Sequence, residues 1–376
     1  MLTKMSEKNY CIYSKATGKI LSLSRSVSDT DAYVILNDAQ YQNFKSNFWK
    51  FENFKIIDNH LEKCSEVAEI KDSDTIILSE IDCIFISYDE PNAEYNWADL
   101  LNKAPWAKRI TGVRGSDAAH KAAAEISTTK RFITVDADNL VDEKFFDIVL
   151  DLIKKPELRD KQLSWCGQNI VNNLVYGNGG LKCWTKHFVR NMKTHEIAEK
   201  TQDKIDFCWN DQYKQLGEIY SKSYINSTPK QAWRAGFREG VKMTVRKGMK
   251  FAELENPAEQ LDRRNYERLL IWCSVGSDVK NGLWSIYGAR MGCYMINCTD
   301  WDYTKVADFD YLNNLFDSLD IKDPIEGLEL YGGLLKKKIN LSLTFFSAEQ
   351  SKFFKELYTN PSRRENIFVP YNWDKN

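Results

Sequence analysis

The chain has 376 residues, of which 43% are hydrophobic and 28% charged, with a formal net charge of −1 at pH 7. These are ordinary figures for a soluble globular protein, and the length suits one large domain or two medium ones. The balance of charge excludes an overall positive field of the kind that announces nucleic acid or an anionic surface.

No apolar run approaches the ~20 residues that a membrane helix requires, and MLTKMSEKNY at the N-terminus lacks the apolar core of a signal peptide. The expectation is a soluble, cytoplasmic protein without a membrane partner. The nine cysteines show no CxxC pair, Cys293 and Cys298 being the closest, so reduced core thiols are expected. The four histidines (His60, His120, His187, His195) form no HExxH arrangement, which speaks against a zinc enzyme.

Residues 1–75 read as an N-terminal segment or small lobe. Cys11–Tyr13 and Ile20–Leu23 have strand character around the turn residues Thr17 and Gly18, and the aromatic-rich stretch from Tyr41 to Phe51 suggests a helix. Thr75–Leu78 and Cys83–Ser87 are strong strand candidates. The second ends in the acidic turn Tyr88-Asp89-Glu90-Pro91-Asn92 and leads to a helix that Asn96 can cap, with Trp97, Leu100 and Leu101 on its apolar side. A short strand follows over Lys108–Val113.

Ser116 can cap the next helix, whose Ala118, Ala119, Ala122, Ala123 and Ile126 fall on one face at helical spacing. Phe132–Val135 then reads as a strand buried on both faces. Asp136 and Asp138 follow at its carboxyl end, where open α/β sheets hold their ligands. Two like charges there are costly unless a cation or a ligand's donors neutralise them. Strand, helix, strand, helix, strand in this order predicts parallel pairing through right-handed crossovers.

Asp142 can cap a further helix with Phe145, Phe146, Val149, Leu150 and Ile153 as its apolar positions, and Leu163–Ile170 reads as a strand. The glycine-rich run Gly177-Asn178-Gly179-Gly180 lets backbone pass close to a ligand. A helix is expected from Thr185 to about Lys193, and another from Gln231 to Met243 with Arg234, Arg238 and Lys242 four apart on one face. That face is either a rail for phosphates or plain solvated surface. Trp284–Gly292 suggests a buried small-residue helix with one charge, Arg290, and residues 301–376 a charged helical extension.

The run Gly115-Ser116-Asp117-Ala118-Ala119-His120-Lys121-Ala122-Ala123-Ala124, the strand after it, and Val135-Asp136-Ala137-Asp138 together resemble the inverting family-2 glycosyltransferases of the GT-A fold. Ser87-Tyr88-Asp89-Glu90-Pro91 stands where that family's first strand ends in a donor-binding turn, and Gly177–Gly180 looks like its glycine loop. SYDEPNAEYNW, KRITGV and WRAGFREGVKM look more closely like tailed-phage proteins presumed to glycosylate hydroxymethylated pyrimidines, such as hydroxymethylcytosine, in phage DNA. The family likeness covers about residues 80–225, and the phage-type likeness reaches about residue 295. Two features of the family are missing: the aspartate-rich turn after the second strand, and an acidic residue directly after the glycine loop, where Leu181-Lys182-Cys183 stand.

The resemblance implies an α/β GT-A (Rossmann-like) domain over 76–300, with a mixed, mainly parallel sheet flanked by helices. It implies Mg²⁺ or Mn²⁺ and a nucleotide-sugar donor, UDP-linked by expectation. Asp136 and Asp138 would hold the metal, because hard carboxylate oxygens can bridge such an ion to a diphosphate. Ser87, Asp89, Glu90, Arg114, Asp136, Gly179, Gly180 and Lys182 would line the donor, and Asp206 or Asp211 would take the proton of the acceptor hydroxyl. His187 or His195 would complete the metal shell, unless each is an ordinary structural histidine. With duplex DNA as acceptor the base must be flipped or the helix distorted, and Trp184, Trp209 and Trp233 are the aromatics that could stack. Two other classes compete: a nucleotidyl- or pyrophosphoryl-transferring enzyme of related fold, and a non-catalytic binding protein, against which the intact aspartate pair argues.

Overall fold

The computed structural model describes residues 8–15, 20–28, 31–46, 54–63, 74–176, 180–192, 212–246 and 249–359. The chain divides into two compact units, Met1–Ser73 and Asp74–Asn376.

In the first unit, β1 (Asn9–Tyr13) lies between β2 (Ile20–Ser24) and β3 (Tyr33–Leu36), both antiparallel to it. Helix α1 (Asp38–Lys45) starts from a reciprocal capping box between Asn37 and Gln40. A hairpin of β4 (Phe54–Ile57) and β5 (His60–Lys63) turns through Asp58 and Asn59, both at positive φ, as tight hairpin turns require. Cys11, Ile20, Val34, Leu36, Tyr41, Phe44, Phe54 and Ile56 close one small core. This helix covers the start of the aromatic stretch Tyr41–Phe51, whose residues from 47 on lie outside the described residues.

The second unit is α/β. Its first strand, β6 (Thr75–Ile77), pairs outside the main sheet. The main sheet begins with β7 (Asp82–Ser87), α2 (Ala93–Lys103), β8 (Lys108–Thr111), α3 (Ser116–Ile126) and β9 (Arg131–Asp136). Here β7 is parallel to both neighbours, β8 and β9, as the alternating pattern predicted. Side chains along β7 alternate between two cores: Cys83 and Phe85 face one, Ile84 the other. The same holds for Ile133 and Val135 against Phe132 on β9. This two-sided burial is why both strands read as continuous apolar runs.

After the acidic pair come β10 (Asn139–Val141) and β11 (Val149–Asp151), then β12 (Gln162–Asn169), β13 (Val175–Tyr176), β14 (Leu181–Thr185), α4 (Lys186–Asn191) and β15 (Tyr213–Ser223). The path across the sheet is β10-β15-β12-β14-β9-β7-β8, with β13 paired to β12. Only β7 with β8, β7 with β9, and β12 with β15 are parallel. The sheet is therefore mixed, not mainly parallel: β14 enters antiparallel to both β9 and β12.

Three local expectations are corrected. The alanine helix carries no side-chain cap: Gly115, at φ +90°, occupies the N-cap position and Ser116 is already helical. Its buried face holds Asp117, Ala119, His120, Ala123 and Ala124, while Ala118 and Ile126 are exposed. Asn96 does not cap α2, which begins one turn earlier, at Ala93. The helix expected after Asp142 is a short 3-10 turn, Glu143–Phe145, which Asp142 does cap. There Phe145 packs edge-on to Trp165 and Phe146 edge-on to Trp106, and the β-branched Val149 joins β11, which pairs with β6. Tertiary pairing overrides the helical period.

The remaining chain is helical. α5 (Pro229–Lys242) is followed by β16 (Val245–Arg246), β17 (Met249–Lys250), α6 (Pro257–Gln260), α7 (Arg263–Trp272), α8 (Gly282–Cys298), α9 (Phe309–Asp317), α10 (Pro324–Ile339) and α11 (Ala348–Thr359). α5 and α8 cross with glycine on both sides. A Cβ at Gly236 or Gly240 would run into the carbonyl oxygens of Ser285 and Ala289; one at Gly288 or Gly292 would run into those of Trp233 and Phe237. Arg290, the lone charge on α8, is buried and donates to the carbonyls of Cys273, Leu328 and Thr344. No helix among the described residues is long and apolar enough to cross a membrane.

Candidate functional site

The carboxyl ends of β7 and β9 lie side by side, and each leads into an acidic turn. On β9 the Asp136 N–H donates to the Gly180 carbonyl (3.0 Å) and the Ala137 N–H to the Ile86 carbonyl (3.0 Å). The apolar Ala137 side chain points into the core. Asp136 and Asp138 therefore take the opposite side, by the two-residue period of extended chain. The Asp136 side chain is 40% exposed, and Asp138 is partly buried. Gly180, at φ +79°, passes so close to Asn139 that any Cβ would strike the asparagine side chain. Asn139 in turn donates to the Asp138 carboxylate at 2.6 Å and accepts from Ser223.

The charges here are unbalanced. Burial, then the neighbouring charges of Asp136 and Glu90, push the Asp138 carboxyl up to about 7. Burial likewise raises Glu90, with Asp89 and Asp136 adding to it, although the Tyr88 N–H donates to Glu90 Oε2 at 2.7 Å. The cation among these acids is Lys182 on β14, its side chain 6% exposed and its Nζ 3.3 Å from Asp136 Oδ2. Among the described residues, one ammonium facing three carboxylates leaves the cluster acidic, the kind of environment in which functional groups gather.

Asp89, next to Glu90, is in a different situation. Its carboxylate receives both terminal nitrogens of Arg234 (2.5 and 3.0 Å) and the Asn313 amide (2.9 Å). Burial pulls this carboxyl upward, but the guanidinium and the amide outweigh it and hold it below the usual range. The guanidinium carbons of Arg234 and Arg238 stand 4.2 and 4.6 Å from the centre of the Phe309 ring, within cation–π reach. Lys242 pairs with Glu239. Arg234 and Arg238 are thus neither open phosphate ligands nor solvated surface: Arg234 docks against the acidic turn and both stack on Phe309 of α9, while Lys242 pairs within α5.

The other expected donor residues are distributed as follows. Ser87 is 3% exposed, and its hydroxyl meets Thr111 Oγ1 at 2.8 Å and accepts from Arg109 Nε. Arg114 is 70% exposed and reaches Asp310 (3.0 Å) and Asp308 (3.9 Å). Trp184 and Trp233 are fully buried, Trp184 donating to Thr134 Oγ1, so neither offers a face to a flipped base. His187 sits on exposed α4, its carbonyl accepting from Asn191. Asp206, Asp211, Gly179, Trp209 and His195 lie outside the described residues.

Several supporting residues escaped the sequence reading. Asn96, 2% exposed, donates to the Ala137 carbonyl at 2.8 Å, between the two aspartates. Asn92 donates to the Tyr224 carbonyl at 3.0 Å, and the Tyr224 N–H donates to the Asp138 carbonyl at 2.6 Å. The available signal was an asparagine four residues from Leu100 on the apolar side of a helix, where a polar group needs a partner.

Among the described residues, no three His, Cys, Asp or Glu side chains form a group that could hold a metal ion. The carboxylate oxygens of Asp136 and Asp138 are hard donors of the type that a divalent ion such as Mg²⁺ takes alongside water and phosphate.

No family model matches the sequence, and no curated protein matches it. Among solved structures, the chain is similar to the crystal structure of HddC from Yersinia pseudotuberculosis, at 15% identity and a TM-score of 0.22, over 37% of this chain and 70% of that one.

Proposed function

We propose that this chain is a metal-dependent glycosyltransferase of the GT-A type, moving a sugar from a nucleotide-sugar donor to an acceptor hydroxyl. The observation that carries the reading is the carboxylate cluster of Glu90, Asp136 and Asp138 at the carboxyl ends of two adjacent parallel strands, faced by Lys182. The sequence resemblance supports it independently, since the same aspartates form its D-x-D.

In this reading Asp136 and Asp138 would hold Mn²⁺ or Mg²⁺, which would supply Lewis-acid stabilisation of a diphosphate leaving group. Lys182 holds a fixed positive charge beside Asp136. The acceptor hydroxyl attacks the anomeric carbon as the bond to the diphosphate oxygen breaks, and its proton passes to a carboxylate, for which Asp206 and Asp211 are the candidates. The acceptor we propose is a 5-hydroxymethylpyrimidine in phage DNA; this part rests on the resemblance.

The test is to incubate the protein with a panel of nucleotide sugars and Mn²⁺, with and without hydroxymethylated DNA. Release of nucleoside diphosphate and the mass of the digested nucleosides are followed. A hexose or pentose mass gain on the hydroxymethylated base is expected, with activity falling steeply as salt rises. Diphosphate release without a mass gain on DNA would overturn the acceptor. Release of pyrophosphate from a nucleoside triphosphate, with no sugar nucleotide consumed, would replace the proposal by nucleotidyl transfer.

A further inference from the structure

Helix α2 and the N-cap residue before it, Asn92, supply three polar side chains, and each donates to a backbone carbonyl of the segments around the acidic turn. Asn92 reaches Tyr224 O at 3.0 Å, Asn96 reaches Ala137 O at 2.8 Å, and Lys103 Nζ reaches Val141 O at 2.8 Å. Their neighbours Ala93, Trp97 and Leu100 belong to the hydrophobic core. Asn96 therefore occupies a position that packing alone would give to an apolar residue.

We infer that Asn96 is a positioning residue for the cation site, fixing the turn so that the carboxylates of Asp136 and Asp138 converge. The inference rests on the reading of those aspartates as metal ligands. Ala137 is the residue between them, and both of its backbone polar groups are tied: its N–H to Ile86, its carbonyl to Asn96. Holding both peptide groups fixes the direction in which the flanking side chains leave the backbone. The Tyr224 N–H on the Asp138 carbonyl secures the next peptide, and Asn92 holds Tyr224 in turn. Without Asn96 the Ala137 carbonyl loses its side-chain donor, and the turn is free to rotate toward another one. Partners one step removed from a metal commonly change its affinity by about 10- to 100-fold.

The experiment measures Mn²⁺ binding by electron paramagnetic resonance, in the presence of inorganic pyrophosphate, for the whole chain and four variants. Asp138→Asn reports on the cation site itself. Asn96→Ala removes the hydrogen bond. Asn96→Leu keeps the approximate shape of the side chain and removes the donor without adding charge. Lys103→Met removes a donor from the same helix to a carbonyl three residues beyond Asp138. Circular dichroism and thermal melting establish that each is folded.

Binding weaker by about tenfold or more in both Asn96 variants, with Lys103→Met like the parent, is the expected result. The Leu variant discriminates best: it fills the buried space, so weaker binding reports the lost hydrogen bond and not a cavity. If Asn96→Ala binds as the parent does while Asp138→Asn does not, the inference falls and the metal site stands. If the parent binds no Mn²⁺, or Asp138→Asn binds as the parent does, the metal site fails and the inference with it. Should Asn96→Leu not fold, Asn96→Ala decides the matter.

Discussion

The two acidic turns at the end of the sheet use the same chemistry to opposite ends. After β7, Asp89 is surrounded by a guanidinium fork and an amide, and its carboxyl sits below the usual range. After β9, Asp138 faces Asp136 and Glu90, and its carboxyl is pushed up to about 7. One carboxylate is met by a full counter-charge; among the described residues the other meets an amide donor, Asn139, and two like charges. The difference teaches that acidity in a strand-end turn is not itself a functional signal. What discriminates is whether the fold has provided the counter-charge.

The largest test of this contrast is Asp138→Asn. It is expected to lower sugar-transfer turnover at least about a hundredfold, as loss of a group that stabilises transition-state charge commonly does. Its melting temperature at pH 8 should equal or exceed the parent's, because a carboxylate that ionises reluctantly has been removed. A large loss of stability instead would make Asp138 a structural residue like Asp89.

Asp89→Asn should do the reverse. It leaves the Arg234 side chain, 7% exposed, without its counter-charge. Breaking such a pair costs about 2–4 kcal/mol, allowing for the 29% exposure of Asp89. Thermal unfolding checks this, with turnover per folded molecule close to the parent's. Unchanged stability with abolished turnover would return Asp89 to the donor-contact role that its position in the sequence suggested.

The same contrast predicts a pH profile with limbs of opposite sign. Asp138 binds its proton more tightly when folded, so its contribution is fully present below the ordinary carboxylate pKa of 3.8 and is lost as pH rises through about 7. Asp89, held low, contributes stability above the ordinary value and loses it as pH falls through its folded value. Stability should thus rise on acidification from pH 8 toward pH 5 by up to about 1–3 kcal/mol, then decline below about pH 4. Asp138→Asn should flatten the first limb in denaturant titrations and Asp89→Asn should weaken the second.

The smallest expected effect is a control. Arg190 and Glu125 also form a fork at 2.9 and 3.2 Å, but their side chains are 49% and 65% exposed. Glu125→Gln should change stability by less than about 1 kcal/mol. A shift as large as that of Asp89→Asn would mean that geometry, not burial, decides the worth of these pairs.

Much of the parallel half of the sheet was legible in the sequence, because burial on both faces writes an unbroken apolar run and the run stops where the ligand-bearing turn begins. Asp136 and Asp138 stood out for that reason. The antiparallel entry of β14 was not legible: neither Leu181–Thr185 nor β9 carries a local mark of its partner's direction. Phe145, Phe146, Val149, Leu150 and Ile153 had helical spacing, yet their rings and branched side chains found better partners at long range. Arg234 looked like surface because its neighbours Arg238 and Lys242 share its face, and sequence spacing does not show an acidic turn from 145 residues earlier folding against it. Asn96 was taken for a cap because asparagine near a helix start usually is one.

The glycine crossing of α5 over α8 has a bearing on how genetic screens of this protein would read. Arg234 lies next to Trp233 and two residues before Gly236, whose place beside Ser285 admits no side chain. A methyl group there must move the α5 backbone, and Arg234 would carry the displacement to Asp89 and the turn holding Glu90. Such a lesion, in a helix with no catalytic group, would score in an activity screen as damage to the donor cleft. Because the clash is with the backbone of Ser285, which no substitution at that position removes, second-site changes in the cleft should not suppress it.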